Sequence, residues 1–108
     1  MHRLLVLYPA PTDPQAFREY YEGHHVGLAA QLPGLRGLRW GFDLVAPGGD
    51  SPYFCAFEAD FDDAAALDAA LASPEGEATA ADVPNYATGG AVLLRYDVQA
   101  GEPATPGR

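Results

Sequence analysis

Six consecutive segments of this chain each have the hydrophobic period of either a strand or a helix. Residues 38–44 and 53–59 place apolar side chains at every second position, which is the period of a strand with one buried face. Residues 17–32 repeat apolar and aromatic side chains at spacings of three and four, which is the period of an amphipathic helix. A strand at residues 2–8, a helical stretch from residue 63 to about residue 82 and a strand at residues 91–98 complete the series. The predicted order is therefore βαββαβ.

This order predicts an α+β protein with a ferredoxin-like sandwich, in which a four-stranded antiparallel sheet carries two helices on one face. The first and last strands, residues 2–8 and 91–98, have apolar side chains at both alternating sets of positions. Because the helices cover only one face, the other face would expose an apolar patch that monomers rarely tolerate. We therefore expect two sheets to pair face to face in a homodimer with a two-fold axis.

Length, charge and cysteine content narrow the class of protein. The 108 residues are enough for one domain, placed at residues 1–98, and the aperiodic residues 99–108 predict a disordered C-terminal tail. A formal net charge of −9 disfavours binding to nucleic acid and to anionic membranes. The single cysteine, Cys55, excludes an internal disulfide and is typical of a reducing compartment. We expect a cytoplasmic protein with neither nucleic acid nor membrane as a partner.

Two tyrosines and two histidines stand close together in the predicted first helix: Tyr20, Tyr21, His24 and His25. Both residue types pack against apolar groups, and histidine exchanges protons near neutral pH. At 100° per residue, His24 falls at the centre of the predicted buried stripe and His25 at its edge beside Tyr21. A central histidine is more often a core residue, whereas an edge histidine borders both a pocket and solvent, as a proton carrier requires. For His25, a catalytic role, a structural hydrogen bond and plain exposure all remain open.

Three stretches of the sequence resemble the EthD family. They are Leu7-Tyr8-Pro9, the run at residues 20–35 that ends in Leu-Pro-Gly-Leu, and the run at residues 82–90 that reads Asp-Val-Pro-Asn-Tyr-Ala-Thr-Gly-Gly. The likeness itself extends over nearly the whole chain, from residue 4 to residue 98. The resemblance implies a dimeric α+β barrel and matches the family histidine with His25. Gly27 stands where the family has proline, and Tyr86 stands where the family commonly has phenylalanine.

The candidate site is an apolar cavity between the first helix and the sheet, with His25 and Tyr21 as the candidate catalytic residues. The candidate substrate-binding residues are Tyr8, Trp40, Phe42 and Tyr86. An apolar pocket with a few polar groups is typical of a small-molecule site. Aromatic residues at these periods are also typical of a plain core, and that alternative stays open.

Two classes of function fit these residues. The first is a cofactor-independent enzyme acting on a small hydrophobic oxygenated metabolite, of the isomerase, dehydratase or monooxygenase type that the resemblance implies. In it, His25 moves a proton and Tyr21 or Tyr86 hydrogen-bonds a carbonyl or enolate. The second is a non-catalytic binding or accessory protein for such a metabolite, and haem binding through a histidine is a third, minor alternative. We expect no metal site and no cofactor, because the adjacent His24 and His25 diverge and no other grouping has metal-ligand spacing.

Overall fold

The computed structural model, which describes residues 1–106, is built on four antiparallel strands with helices on one side. In chain order the elements are β1 (His2–Pro9), α1 (Pro14–Tyr20), a π-helical turn (Tyr21–His25), α2 (Val26–Ala29), β2 (Gly37–Phe42), β3 (Val45–Ala46), β4 (Gly49–Asp50), β5 (Tyr53–Phe61), α3 (Ala64–Ala72), α4 (Pro74–Asp82), a 3-10 turn (Val83–Asn85) and β6 (Val92–Asp97). The sheet order is β2-β5-β1-β6, and β3 pairs with β4 in a separate short hairpin. The predicted ferredoxin-like α+β fold is thereby confirmed.

The two central strands form the floor of the core. In the antiparallel register, Val6 of β1 lies opposite Phe57 of β5, and Tyr8 lies opposite Cys55. All four side chains are buried, and Phe17 of α1 covers them from the helical side. Alternation along β1 and β5 therefore directs one set of side chains towards the helices, as the strand period predicts.

The second helical segment of the chain bends between α3 and α4 at a tight junction. The hydroxyl of Ser73 accepts a hydrogen bond from the backbone nitrogen of Gly76 at 3.0 Å and begins α4, with Pro74 at its first position. Gly76 is required there, because a Cβ atom at this position would lie 2.2 Å from the carbonyl oxygen of Ala70. The junction brings α4 close to the end of α3, and α4 also packs against α2.

The face of the sheet away from the helices is half apolar and half charged. On β6, Val92, Leu94 and Tyr96 are 37%, 50% and 43% exposed. On the central strands, the guanidinium of Arg3 donates to both carboxylate oxygens of Asp60, with Nε–Oδ1 and Nη2–Oδ2 distances of 2.6 and 3.1 Å. The apolar half corresponds to the patch that the sequence assigns to a dimer interface.

The C-terminal end of the described chain has no regular secondary structure. Residues 99–106 contain no helix or strand, and the predicted tail continues to residues 107 and 108, which lie outside the described residues. The domain boundary at residue 98 and the disorder of the tail stay predictions. Within residues 1–106, none of the helices combines the length and the apolar character that crossing a membrane requires.

Candidate functional site

The π-helical turn at Tyr21–His25 decides which histidine enters the interior. His25 is 4% exposed, whereas the side chain of His24 is 54% exposed. The backbone N–H of Val26 donates to the carbonyl of Tyr21, an i→i+5 bond that accommodates one residue more than an α-helical turn. Because of that extra residue, His25 takes the angular position that His24 would occupy in an ideal helix, a shift of about 100°. The prediction of a central His24 and an edge His25 is therefore wrong.

His25 is paired with Asp82, the last residue of α4. His25 Nδ1 lies 2.9 Å from Asp82 Oδ2, and both residues are buried. The other carboxylate oxygen, Oδ1, accepts hydrogen bonds from the Tyr20 hydroxyl at 2.5 Å and from Asn85 Nδ2 at 3.0 Å. The Nε2 atom of His24 lies 3.6 Å from the same oxygen. Because a carboxylate only accepts hydrogen bonds, this arrangement selects the tautomer of His25 that carries its proton on Nδ1.

The environment of the pair sets its charge near neutral pH. Burial lowers the pKa of His25, and the hydrogen bond to Asp82 compensates only in part. Burial also opposes ionisation of Asp82, but hydrogen bonds from Tyr20, Asn85 and His25 outweigh it and hold the pKa of Asp82 below its ordinary value. The pair is therefore a neutral imidazole beside a carboxylate at pH 7. Within the described residues, Nε2 of His25 makes no hydrogen bond, so its lone pair is available to a ligand.

His25 lines an apolar cavity of about 70 Å³ between the sheet and α4, named here the inner cavity. Aliphatic and aromatic side chains such as Val6, Phe57 and Leu93 form most of its wall, and His25, Tyr8 and Thr79 are its polar side chains. The volume is about half that of a cavity of roughly 150 Å³ that accommodates benzene. In this conformation the inner cavity therefore accommodates a molecule smaller than benzene.

Three buried tyrosines, Tyr8, Tyr21 and Tyr86, meet beside the inner cavity and are named here the tyrosine cluster. The hydroxyls of Tyr8 and Tyr86 lie 2.7 Å apart and share one hydrogen bond, whereas the hydroxyl of Tyr21 has no partner within residues 1–106. The ring centroid of Tyr86 lies 4.6 Å from that of His25. Burial raises the pKa of all three hydroxyls, so they stay protonated and act as hydrogen-bond donors. The cluster therefore holds three O–H groups and uses one of them as a donor within the described residues.

The predicted site residues fall into two groups in the structure. Tyr8 and His25 line the inner cavity, and Tyr86 contacts both. Tyr21 and Phe42 do not line it and belong instead to the aromatic core, where their ring centroids lie 5.3 and 6.3 Å from that of Phe17. The structure thus makes Tyr8, and not Tyr21, the tyrosine that shares the cavity wall with His25.

Trp40 does not reach the inner cavity. Its side chain is on the helical face of β2, but β2 is an edge strand of the sheet and the helices do not extend over it fully. Trp40 is 37% exposed, and its Nε1 donates to Glu22 at 3.0 Å. The predicted position of Trp40 in the cavity is corrected accordingly, because strand parity predicts a face of the sheet and not a depth.

Asp82 is a residue of the candidate site that the sequence prediction did not include. It lies at the C-terminal end of α4, where the helix dipole disfavours a negative charge. An acidic side chain in that position, three residues before Asn85 and four before Tyr86, indicates a specific partner. That signal was available in the sequence, but the partner, His25, is 57 residues away in the chain.

The site offers no metal centre among the described residues. Within residues 1–106, no group of three or more His, Cys, Asp or Glu side chains is placed to hold a metal ion. His24 and His25 both approach Asp82, one on each carboxylate oxygen, but they approach an acceptor and not a shared cation.

Comparison with known proteins places this arrangement in a family. A family model described as the EthD domain matches residues 9–90. An uncharacterised 11.0 kDa protein from the thcB-thcC intergenic region of Rhodococcus erythropolis is 36% identical over 97 residues, which are 90% of this chain and 94% of that protein. The crystal structure of an ethyl tert-butyl ether d (ethd) family protein from Bacillus halodurans is 31% identical with a TM-score of 0.86, and the alignment covers 92% of this chain and 99% of that one.

More distant structures share the fold alone. A dimeric ferredoxin-like protein of unknown function from Thermobifida fusca has a TM-score of 0.68 at 23% identity, and the alignment covers 90% of each chain. A hydroxynitrile lyase from Passiflora edulis has a TM-score of 0.72 at 21% identity, with 94% of this chain and 96% of that one covered. The family model covers the segments that carry both His25 and Asp82. This chain belongs to the EthD domain family.

Proposed function

We propose that this protein is a cofactor-independent enzyme that moves a proton to or from a small, neutral, oxygenated and largely apolar molecule. The observation that carries the proposal is the buried His25–Asp82 pair at the wall of the inner cavity. A general base needs a free lone pair within reach of the substrate and a pKa at or below the working pH. Nε2 of His25 supplies the lone pair, and burial of the ring lowers its pKa.

Asp82 acts in this proposal as a positioning residue. Its bond to Nδ1 holds the imidazole ring in one tautomer and one orientation. When Nε2 takes a proton, the ring becomes positively charged 2.9 Å from the carboxylate, which stabilises that charge in the transition state. Tyr20 and Asn85 hold the carboxylate in place through its other oxygen.

The cavity wall limits the class of substrate. An unpaired charge is strongly disfavoured in an apolar enclosure, so the substrate is neutral when it enters. The volume of about 70 Å³ favours a molecule of few non-hydrogen atoms, or the small reacting end of a longer one. A hydroxynitrile lyase shares this fold, and this supports small-molecule chemistry of an isomerase or lyase type.

The test is hydrogen–deuterium exchange of a small carbon acid, nitromethane, in D₂O, followed by proton NMR with the protein as the catalyst. We expect exchange with the wild-type protein and loss of exchange with His25→Gln. His2→Gln is the matched control, because His2 is also buried, lies 2.7 Å from an aspartate (Asp97) and does not line the inner cavity. Asp82→Asn should lower the rate without abolishing it, because the base is retained but its orientation is not fixed.

The same experiment separates the enzyme from a binding protein. Chemical-shift changes at His25 with nitromethane, without any exchange, would favour the alternative of a non-catalytic carrier for a hydrophobic metabolite. Equal exchange in wild type and His25→Gln would contradict the proposed role of His25.

We also propose a homodimer that pairs the open faces of two sheets. Exposed Val92, Leu94 and Tyr96 support it, as does the dimeric state of the ferredoxin-like neighbour from Thermobifida fusca. Leu94→Arg should shift the mass in sedimentation equilibrium from dimer to monomer, whereas Val45→Arg, at an exposed residue of β3 outside the sheet, should not. A cytoplasmic location remains part of the proposal and is supported by the free, buried thiol of Cys55.

A further inference from the structure

The tyrosine cluster has a hydrogen-bond donor to spare at the inner cavity. Tyr8 and Tyr86 share one hydrogen bond, and either hydroxyl can be its donor. Tyr8 lines the inner cavity and Tyr86 does not. If Tyr86 donates to Tyr8, the hydrogen of Tyr8 is left for a group inside the cavity. Buried hydroxyls are rarely left without an acceptor, and a polar group inside the cavity would serve as one for this hydrogen.

The cavity wall therefore contains two side chains with complementary polar atoms. Nε2 of His25 accepts a proton, and the hydroxyl of Tyr8 donates a hydrogen bond. A ligand that matches both carries an acidic hydrogen and, close to it, a hydrogen-bond acceptor. The remaining wall is apolar except for Thr79, whose hydroxyl already donates to the backbone carbonyl of Glu75 at 2.8 Å, so little there favours a second polar group on the ligand.

We propose, on the basis of the function proposed above, that the substrate is a small carbonyl compound. Its oxygen accepts a hydrogen bond from Tyr8, Tyr86 donates to Tyr8 from behind, and His25 removes a hydrogen from the carbon next to the carbonyl. Tyr8 contacts the substrate, whereas Tyr86 is a positioning residue that acts through Tyr8.

The electrons of this step balance without a further reactant. Nε2 of His25 takes the hydrogen as a proton, the C–H pair becomes the C=C bond, and the carbonyl π pair moves to oxygen to give an enolate. Tyr8 keeps its proton, because burial raises the pKa of its hydroxyl, and stabilises the enolate oxygen as a donor. The bond from Tyr86 polarises the Tyr8 hydroxyl and strengthens this donor. Return of this proton to a different carbon gives isomerisation, whereas return of a deuteron, after the proton on His25 has exchanged with D₂O, gives hydrogen–deuterium exchange.

The experiment compares two probes, acetone and nitromethane, by hydrogen–deuterium exchange in D₂O with the full-length protein. Acetone needs its anion stabilised at oxygen, whereas the nitro group stabilises its own anion. We expect Tyr8→Phe to slow exchange of acetone by about 100-fold, as for loss of one oxyanion donor, and exchange of nitromethane far less. Tyr86→Phe should slow acetone exchange by a smaller factor. Tyr53→Phe, which removes a tyrosine hydroxyl outside the inner cavity, should leave both rates unchanged.

The outcomes separate this inference from the proposed function. Equal acetone exchange in wild type and Tyr8→Phe overturns the carbonyl assignment, and the proton-transfer function still stands if His25→Gln abolishes exchange of nitromethane. Exchange of nitromethane without exchange of acetone overturns the carbonyl assignment in the same way. Exchange of neither probe by the wild-type protein overturns both. If Tyr8→Phe does not fold, Tyr86→Phe decides, because an unchanged acetone rate there contradicts the donor chain.

Discussion

The unpartnered hydroxyl of Tyr21 makes Tyr21→Phe a stabilising substitution. Tyr21 is 0% exposed, and its hydroxyl has no hydrogen-bond partner within residues 1–106. The hydroxyl is hydrated in the unfolded chain, so its burial without a partner destabilises the fold by about 1–3 kcal/mol. Phenylalanine keeps the ring, whose centroid lies 5.5 Å from that of Tyr8 and 5.3 Å from that of Phe17. We expect the free energy of unfolding to rise by about 1–2 kcal/mol.

Urea unfolding followed by circular dichroism measures this change directly. The urea concentration at the midpoint of unfolding should rise. The slope of the free energy of unfolding against urea concentration should stay constant, because the two proteins expose nearly the same surface on unfolding. For a domain of this size, 1 kcal/mol corresponds to a shift in melting temperature of roughly 4 °C, which calorimetry resolves easily.

Tyr86→Phe is the matched control, because it is the same chemical change at a neighbouring buried tyrosine. It removes the 2.7 Å hydrogen bond between Tyr86 and Tyr8 and leaves the Tyr8 hydroxyl without a partner. We expect a decrease of about 1–2 kcal/mol in the free energy of unfolding, opposite in sign to that of Tyr21→Phe. If Tyr21→Phe instead destabilises the protein as much as Tyr86→Phe does, the Tyr21 hydroxyl has a partner such as a buried water. The donor count of the tyrosine cluster would then be refuted.

Three further expectations follow from individual residues. Because burial lowers the pKa of His25, this side chain binds a proton more readily in the unfolded chain than in the folded one below about pH 6.5. The free energy of unfolding should therefore fall as the pH decreases from there. His25→Gln should reduce this pH dependence, measured by urea unfolding between pH 7.5 and 5.5. Gly27→Ala should raise stability by about 1 kcal/mol, since Gly27 is helical and a Cβ there has no neighbour within 4 Å among the described residues. Gly76→Ala should lower the melting temperature, because its Cβ would lie 2.2 Å from the carbonyl oxygen of Ala70.

The fold was predictable from the sequence because two of its strands, predicted at residues 38–44 and 53–59, have one clear period. Cys55 and Phe57 alternate with less buried residues, and β1 ends at a proline, so the order of elements could be assigned before any contact was known. Depth within a layer was not predictable in the same way. Trp40 and Phe42 share the parity that faces the helices, but only the sheet order shows that their strand is at an edge.

The candidate site was predictable only in part, because the spacing of apolar residues in the first helix also fits an ideal α-helix. Phe17, Tyr21, His24 and Leu28 follow spacings of four, three and four, which is the ideal pattern of an α-helical face. The residues buried in the structure are instead Phe17, Tyr21, His25 and Ala29. They are four residues apart, and in an ideal α-helix each step of four turns about 40° beyond one full turn. Leu28 is more hydrophobic than Ala29, so the hydrophobic pattern favours the helix face that contains His24 and Leu28.

The extra residue of the π-helical turn reconciles these steps of four with a single buried face, and it also creates the candidate site. In an uninterrupted α-helix, His24 would point inward and His25 would move by about 100°, away from Asp82. With the turn, His25 binds Oδ2 of Asp82 from inside while His24 stays exposed near Oδ1. The π-helical turn that interrupts the sequence pattern is therefore also the feature that forms the His25–Asp82 pair of the proposed mechanism, in keeping with the frequent occurrence of π-helical turns at functional sites.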